Sequence, residues 1–205
     1  VEHFNNPSIT QNDAFKPVTR YFDRITRPEQ ILQTLPQAIQ VMLDPADCGP
    51  ACISLSQDIQ GETFEYPEEF FKERVHNIRR PRPDDFQIKE AADKIKSSKN
   101  PIIISGGGVF YSEAMDDLAT FASKHNIPVT QTVMGYSTMK RDHSHFLGPI
   151  GGLGGKAANN FAKKTDLAIA VGTKLGDFTT GSWANFENPN FKVVSINAAR
   201  FDANK

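Results

Sequence analysis

The stretch that decides the fold is residues 101–108, Pro-Ile-Ile-Ile-Ser-Gly-Gly-Gly. An apolar, β-branched run of this length is typical of a buried strand, and three glycines end it abruptly. A helical pattern follows over residues 113–125. Strand, tight turn and helix start, in this order, mark the place where α/β proteins hold nucleotides and phosphates, because exposed helix N–H groups and bare backbone meet there. The stretch predicts an α/β fold and a candidate ligand turn at Gly106, Gly107 and Gly108.

Helical and strand-like segments alternate on both sides of this stretch. The pattern predicts helices at residues 28–43, 86–98 and 157–164, and strands at residues 51–55, 102–105, 127–132, 167–171 and 193–196. Such alternation implies a mainly parallel sheet with helices on both faces. Residues 134–155 are rich in glycine and are expected to form a loop.

Composition excludes several classes of function. Of the 205 residues 39% are hydrophobic and 23% charged, and the formal net charge is −1. Without a basic excess, neither nucleic acid nor an anionic membrane is expected as a partner, and the apolar runs are too short to cross a bilayer. Two cysteines, Cys48 and Cys52, cannot build a disulfide framework, so free thiols in a reducing cytoplasm are expected. The chain opens on Val1 without an apolar leader, and we expect it to be a piece of a longer protein.

Two glycine motifs are candidate ligand sites, and each also has a purely structural interpretation. The turn at Gly106 to Gly108 lacks the last glycine of Gly-x-Gly-x-x-Gly, so it could equally be a close-packing turn. Residues 152–157, Gly-Leu-Gly-Gly-Lys-Ala, satisfy Gly-x-Gly-x-x-Ala but lack a predicted strand directly before them. Gly154 is therefore a candidate either for a dinucleotide fingerprint or for a loop that presents N–H groups. Isoleucine at position 150 rules out a P-loop around Lys156.

A third candidate is the segment 172–181, which follows a buried strand directly, where open α/β sheets place their binding crevice. Its Gly172 and Lys174 join the candidate nucleotide-type site. The cluster 142–145, Asp-His-Ser-His, could suggest a metal, but without a partner cluster a solvated loop is favoured. No serine or cysteine stands in a nucleophile motif, so neither a catalytic residue nor a metal ligand is assigned.

Taken together, the segments resemble the central domain of thiamine-diphosphate enzymes of the acetohydroxyacid synthase type. The resemblance lies in residues 99–108, 127–129, 132–135, 147–151 and 166–173, which follow the family's order and spacing. Residues 49–60 resemble the last strand of the family's pyrimidine-binding domain. Residues 12–30, 66–71 and 177–182 narrow the resemblance to a branch that opens a cyclic diketone during myo-inositol breakdown.

The resemblance implies a Rossmann-like central domain at residues 86–205. It also implies the tail of a pyrimidine-binding domain at residues 1–60, with a linker at residues 61–85 between them. For the full-length protein it implies a cytoplasmic homo-oligomer, a dimer or tetramer, that uses thiamine diphosphate and magnesium. The substrate would be a small cyclic diketone, trihydroxycyclohexane-1,2-dione, which is hydrolysed to 5-deoxyglucuronate.

At two places this sequence departs from the family pattern, and these departures bear on whether the chain itself can bind magnesium or FAD. The family's catalytic glutamate and its Gly-Asp-Gly metal motif lie in other domains; here Phe178 follows Gly176 and Asp177 where glycine is required. Lys174 stands where flavin-containing relatives carry arginine, which argues against FAD. We expect an inactive piece of the enzyme, with an FAD- or dinucleotide-binding module and an oligomerisation domain as alternatives.

Overall fold

The computed structural model describes residues 2–3 and 5–204. The chain forms two compact units, Val1–Arg79 and Arg80–Lys205, which are described separately below. The boundary between the units falls inside the segment 61–85. The domain boundaries at residues 60, 61, 85 and 86 remain predictions.

The first unit is built around a parallel β-α-β arrangement. Strand β3 (Tyr21–Ile25) pairs in parallel with β4 (Ala51–Leu55), and helix α1 (Ile31–Met42) connects them. A short antiparallel pair, β1 (Glu2–His3) and β2 (Asn6–Thr10), precedes it, followed by a 3-10 helix at Gln11–Val18. The sequence pattern predicts α1 and β4 but misses the other three strands.

A carboxylate network ties α1 to β3. Asp23 accepts hydrogen bonds from the Thr34 hydroxyl at 2.5 Å and from the Gln30 amide at 3.2 Å. Burial raises the pKa of Asp23, but the hydrogen bonds from Thr34, Gln30, the Arg24 N–H and Tyr21 together outweigh burial and leave the pKa below its ordinary value. The network therefore holds Asp23 in its charged form at neutral pH.

Residues 56–79 complete the first unit with little regular structure. They contain 3-10 helices at Ile59–Gly61 and Glu68–Phe71. Four aromatic rings form a cluster there, at Phe64, Tyr66, Phe70 and Phe71. The Tyr66 hydroxyl donates to the Pro28 carbonyl at 3.2 Å, which ties this cluster to the 3-10 helix at Pro28–Gln30 that precedes α1.

The second unit contains a five-stranded, fully parallel sheet in the order β7-β6-β5-β8-β9. The strands are β5 (Pro101–Ser105), β6 (Val129–Gln131), β7 (Phe146–Pro149), β8 (Leu167–Val171) and β9 (Lys192–Ile196). The helices are α2 (Asp85–Ser97), α3 (Gly107–Tyr111), α4 (Met115–His125), α5 (Lys156–Ala162), α6 (Asp177–Thr180) and α7 (Arg200–Ala203). This is the predicted α/β fold with a parallel sheet.

Helices cover both faces of this sheet. On one face Ile103 and Ile169 pack with Leu118 and Ala122 of α4 and with the inner side of α2. On the other face Ile102 and Ile104 pack with residues of α5. The three isoleucines of β5 are at most 1% exposed, and burial of each such side chain contributes about 1.5–3 kcal/mol.

In the second unit, two predicted segments differ from the structure, and the short helices α3, α6 and α7 were not predicted. The predicted helix 113–125 starts only at Met115, because Glu113 takes a left-handed conformation (φ 57°) that breaks the helical path after α3. The predicted loop 134–155 contains β7, which includes Gly148 (φ 90°) and Pro149, residues that weaken any strand pattern.

Two remaining observations concern the cysteines and the helices. Cys48 and Cys52 are free thiols. Among the described residues, no helix is both long enough and apolar enough to span a membrane.

Candidate functional site

The candidate site lies at the carboxyl edge of the parallel sheet, between β5 and β8. The chain runs from β5 outward through β6 to β7 and then returns to β8 on the other side of β5. Open α/β sheets bind ligands at such a point of reversal, outside the carboxyl ends of the strands. The fold brings the predicted site residues after β5 and β8 side by side here.

Backbone hydrogen bonds join the two loops directly. The Gly106 N–H donates to the Val171 carbonyl and the Gly108 N–H to the Gly172 carbonyl, both at 2.9 Å. The Gly172 N–H donates to the Ile196 carbonyl at 2.8 Å. These three N–H groups, which a phosphate would need as donors, are therefore used within the fold.

The same loops explain why glycine is required at these positions. A Cβ on Gly108 would lie 2.5 Å from the Cα of Gly172, and a Cβ on Gly106 would overlap Thr173. A Cβ on Gly107 would lie 3.1 Å from the Met134 carbonyl oxygen. Gly172 also has a φ of 60°, in the left-handed region that favours glycine. Close backbone packing therefore accounts for these glycines.

The second glycine loop is held by its own hydrogen bonds. The Gly154 N–H donates to the Gly151 carbonyl at 2.8 Å, and the Gly155 N–H donates to the Pro149 carbonyl at 2.9 Å. The Asn159 side chain accepts from the Gly151 N–H at 2.9 Å and donates to the Gly151 carbonyl at 3.0 Å. The strand that the sequence pattern does not show before this loop is β7, which ends at Pro149.

Lys174 is exposed on the loop after β8. The carbonyl of Lys174 accepts from the Thr173 hydroxyl at 3.0 Å, and the Thr173 carbonyl accepts from the Asn197 amide at 3.2 Å. The loop is thus fixed at its backbone while the lysine side chain reaches solvent. The assignment of this residue and of the five glycines to a nucleotide-type site remains a prediction.

Large apolar side chains surround this edge of the sheet. They follow the carboxyl ends of four strands and are between 52% and 76% exposed: Phe110, Tyr111, Val133, Met134, Tyr136, Leu153 and Phe178. We call this set the apolar rim. Exposed apolar patches on otherwise polar surfaces mark sites of interaction.

The structure also shows a cavity that sequence reasoning misses. It has a volume of about 600 Å³ and lies at the carboxyl ends of β6 and β7, with Gln131, Tyr136 and Arg141 in its lining. Gln131 is only 6% exposed, and its Oε1 has no hydrogen-bond partner. In the sequence, the feature that could have indicated this cavity is Gln131 itself, a polar residue inside the predicted strand 127–132, where most positions are apolar or β-branched.

The Asp-His-Ser-His cluster at residues 142–145 is engaged in local hydrogen bonds. His143 Nε2 lies 3.2 Å from the Ser123 hydroxyl, and His145 Nε2 lies 2.9 Å from the Asn126 side-chain oxygen. In the part of the chain that the structure describes, no group of three or more His, Cys, Asp or Glu residues could hold a metal ion.

Comparison with known proteins identifies the family. The family model for the central domain of thiamine pyrophosphate enzymes matches residues 88–205. A 3D-(3,5/4)-trihydroxycyclohexane-1,2-dione hydrolase from Clostridium botulinum strain Eklund 17B is 50% identical over all 205 residues, which make up 32% of its length. The hydrolase of that name from Clostridium perfringens strain 13 is 49% identical with the same coverage. The chain therefore spans about a third of the length of these curated relatives.

A solved structure supports the fold alone. The thiamine diphosphate-dependent 4-hydroxybenzoylformate decarboxylase of Rhodococcus jostii RHA1 superposes with a TM-score of 0.75 at 20% identity. The match covers 96% of this chain and 37% of that protein. The family model matches residues 88–205, which fold into the parallel sheet whose strand order reverses between β5 and β8. The chain therefore belongs to the thiamine pyrophosphate enzyme family through its central domain.

Proposed function

We propose that this chain is the central third of a thiamine-diphosphate-dependent hydrolase that opens the ring of trihydroxycyclohexane-1,2-dione. The observation that carries the proposal is 50% identity over all 205 residues to a hydrolase named for that substrate. The reaction would break a carbon–carbon bond of the cyclic diketone and yield 5-deoxyglucuronate in myo-inositol breakdown. The full-length protein would act in the cytoplasm with thiamine diphosphate and magnesium.

In this proposal the chain itself is a scaffold without catalytic residues. Residues 1–60 would be the tail of the pyrimidine-binding domain, residues 61–85 a linker and residues 86–205 the central domain. One observation supports a scaffold: the N–H groups of Gly106, Gly108 and Gly172 donate to backbone carbonyls and are not free for a phosphate.

The apolar rim supports a role in assembly. Its seven side chains would be covered in the full-length enzyme, where the central domain spaces the catalytic domains and contributes to contacts between subunits. A homo-oligomer, a dimer or a tetramer, is the assembly we propose. FAD binding is the less favoured alternative, because the N–H groups of Gly106, Gly108 and Gly172 donate within the fold and Lys174 replaces the expected arginine.

Calorimetry tests the scaffold proposal. Titration of the folded 205-residue chain with thiamine diphosphate and Mg²⁺ should give no saturable heat, whereas the full-length Clostridium botulinum relative should saturate. Far-UV circular dichroism must first show a folded chain. Saturable binding to the chain alone would contradict the proposal. A rise in the melting temperature with FAD would favour the flavin alternative instead.

A further inference from the structure

Residues 61–79 of the first unit divide their charge between two halves. Residues 61–69, the acidic half, contain four glutamates and no lysine or arginine: Glu62, Glu65, Glu68 and Glu69. Residues 72–79, the basic half, contain one glutamate and three basic residues: Lys72, Arg74 and Arg79. Both halves lie inside the first unit, which ends at Arg79. The whole chain has a net charge of only −1, so this separation of charge is a local feature.

Large apolar side chains accompany both halves and remain in contact with water. Phe71, Val75 and Ile78 are 70%, 82% and 52% exposed, and Phe64 is 40% exposed. The rings are nevertheless packed in fixed arrangements, since the Tyr66 ring centre lies 5.1 Å from that of Phe64 and 6.0 Å from that of Phe71. An ordered group of exposed apolar side chains within a polar surface is typical of a contact site for another protein surface.

Most polar groups of this surface are not used within the fold. The segment 73–79 lies outside every helix and strand, and its backbone forms no hydrogen bond with another described residue. Lys72 pairs with Glu69 at 2.5 Å. Among the residues that the structure describes, the other three glutamates of the acidic half and both arginines of the basic half form no ion pair. These charges are therefore available to a partner.

The charge pattern is complementary to itself. In a two-fold symmetric contact, residue i of one copy meets residue j of the other, and residue j of the first copy meets residue i of the second. Two copies that meet head to tail thus place each acidic half against a basic half and cover the apolar side chains between them. A partner with charge of one sign, such as a nucleic acid, would be repelled by one of the two halves. The pattern therefore favours a second copy of this chain.

We propose that residues 61–79 form a two-fold symmetric contact between two copies of this chain. The acidic half of each copy pairs with the basic half of the other, and Phe71, Val75 and Ile78 become buried between them. The inference does not depend on the ring-opening activity proposed above. It also uses none of the apolar rim, whose residues all belong to the second unit.

Analytical ultracentrifugation of the folded 205-residue chain tests the contact. A monomer–dimer equilibrium with a dissociation constant of about 10–100 µM is expected, at the weak end for protein interfaces. An increase in NaCl from about 0.05 M to about 0.5 M should raise that constant about tenfold, because salt screens exposed charges. Val75→Ser removes an apolar side chain that is 82% exposed, so it should weaken the dimer about fivefold and leave the melting temperature of the monomer unchanged.

A charge swap tests whether the two halves pair with each other. The first variant carries Glu65→Lys and Glu68→Lys, so both of its halves have lost their opposite charge and repel a second copy. The second variant carries Arg74→Glu and Arg79→Glu and repels its own copies for the same reason. Each variant alone should associate at least about tenfold more weakly than the unsubstituted chain, because like charges then face each other. An equimolar mixture of the two variants should recover the dimer, since their charges are again opposite.

A control variant and three outcomes complete the test. Lys89→Glu with Lys96→Glu, at exposed positions of α2, makes the same change in net charge as the second variant and should leave the association unchanged. A chain that stays monomeric in low salt would mean that another part of the full-length polypeptide covers this surface, and it would overturn the proposal. A dimer that none of the substitutions in residues 61–79 weakens would place the contact elsewhere, for example at the apolar rim, and would overturn it too. The same holds if the two charge variants are folded but their mixture recovers no dimer.

Discussion

The N–H of Gly108 donates to the carbonyl of Gly172 at 2.9 Å, and a Cβ on Gly108 would lie 2.5 Å from the Gly172 Cα. The loops after β5 and β8 thus touch through their backbones at the point where the sheet reverses its strand order. This contact closes the edge of the sheet where many α/β proteins hold a ligand.

Gly108→Ala should destabilise the second unit, because the added methyl group meets backbone atoms that cannot rotate away. We expect a loss of about 1–3 kcal/mol in the free energy of unfolding, measured with urea. Gly155→Ala is the matched control, since a Cβ there meets nothing within 4 Å and the φ of Gly155 is −77°. Equal effects of the two substitutions would show that close packing is not the reason for glycine at position 108.

Asn159→Asp should destabilise the loop before α5. The substitution keeps an acceptor for the Gly151 N–H but replaces the donor to the Gly151 carbonyl by an oxygen, so two acceptors face each other. The expected cost is about 1–3 kcal/mol in urea unfolding at neutral pH. Asn160→Asp makes the same chemical change at an exposed neighbour on α5 and should cost far less. A similar cost at both positions would refute the role assigned to Asn159.

The second unit should become less stable in acid, because the stabilisation that charged Asp166 contributes is lost there. Burial raises the pKa of its carboxyl, but hydrogen bonds from the Ser98 hydroxyl and the Lys99 and Asn100 N–H groups outweigh burial and lower the pKa overall. Since the unfolded pKa is about 4, the stabilisation is complete above that pH and is lost as the pH falls through the lower folded value.

The substitution Asp166→Asn tests this pH dependence. At pH 7 it should lower the free energy of unfolding by about 1.5–3 kcal/mol, and the gap to the unsubstituted chain should narrow towards pH 3. Asp93→Asn, on the exposed side of α2, serves as the control and should leave the pH profile almost unchanged. A gap that stays constant between pH 7 and pH 3 would argue against a charged Asp166.

Thr34→Val should loosen the first unit. Thr34 is 2% exposed, and its hydroxyl donates to Asp23 at 2.5 Å, so valine would leave a charged acceptor without this donor. We expect faster amide hydrogen exchange in β3 and β4 and a loss of about 1.5–3 kcal/mol. Thr34→Ser keeps the hydroxyl and should retain most of the protection. Equal exchange in both variants would assign the stability to side-chain packing alone.

The central strands could be predicted from sequence because their pattern does not depend on distant partners. β5 and β8 are buried on both faces, so each is a short apolar run, and the predicted bounds agree with the structure to within one residue. The edge strand β7 could not be predicted, since it contains glycine and proline and is fixed by its pairing with β6.

The structural role of the glycines could not be inferred from local sequence. Gly108 and Gly172 are 64 positions apart in the sequence, and only the folded sheet shows that one backbone occupies the space beside the other. The Gln131 cavity was missed for a similar reason, because its lining combines the end of β6, both ends of β7 and the loops that follow these two strands. Sequence motifs therefore located the edge of the sheet but not its contacts.

A chimeric enzyme tests the central claim most directly. The matching third of the full-length Clostridium botulinum relative is replaced by this chain, and ring opening of trihydroxycyclohexane-1,2-dione is then measured. We predict that the chimera keeps an activity of the same order as its parent, and that the same chimera with Gly108→Val loses soluble, active protein. A soluble chimera that binds thiamine diphosphate but opens no ring would contradict the proposal that this chain is the central scaffold of such a hydrolase.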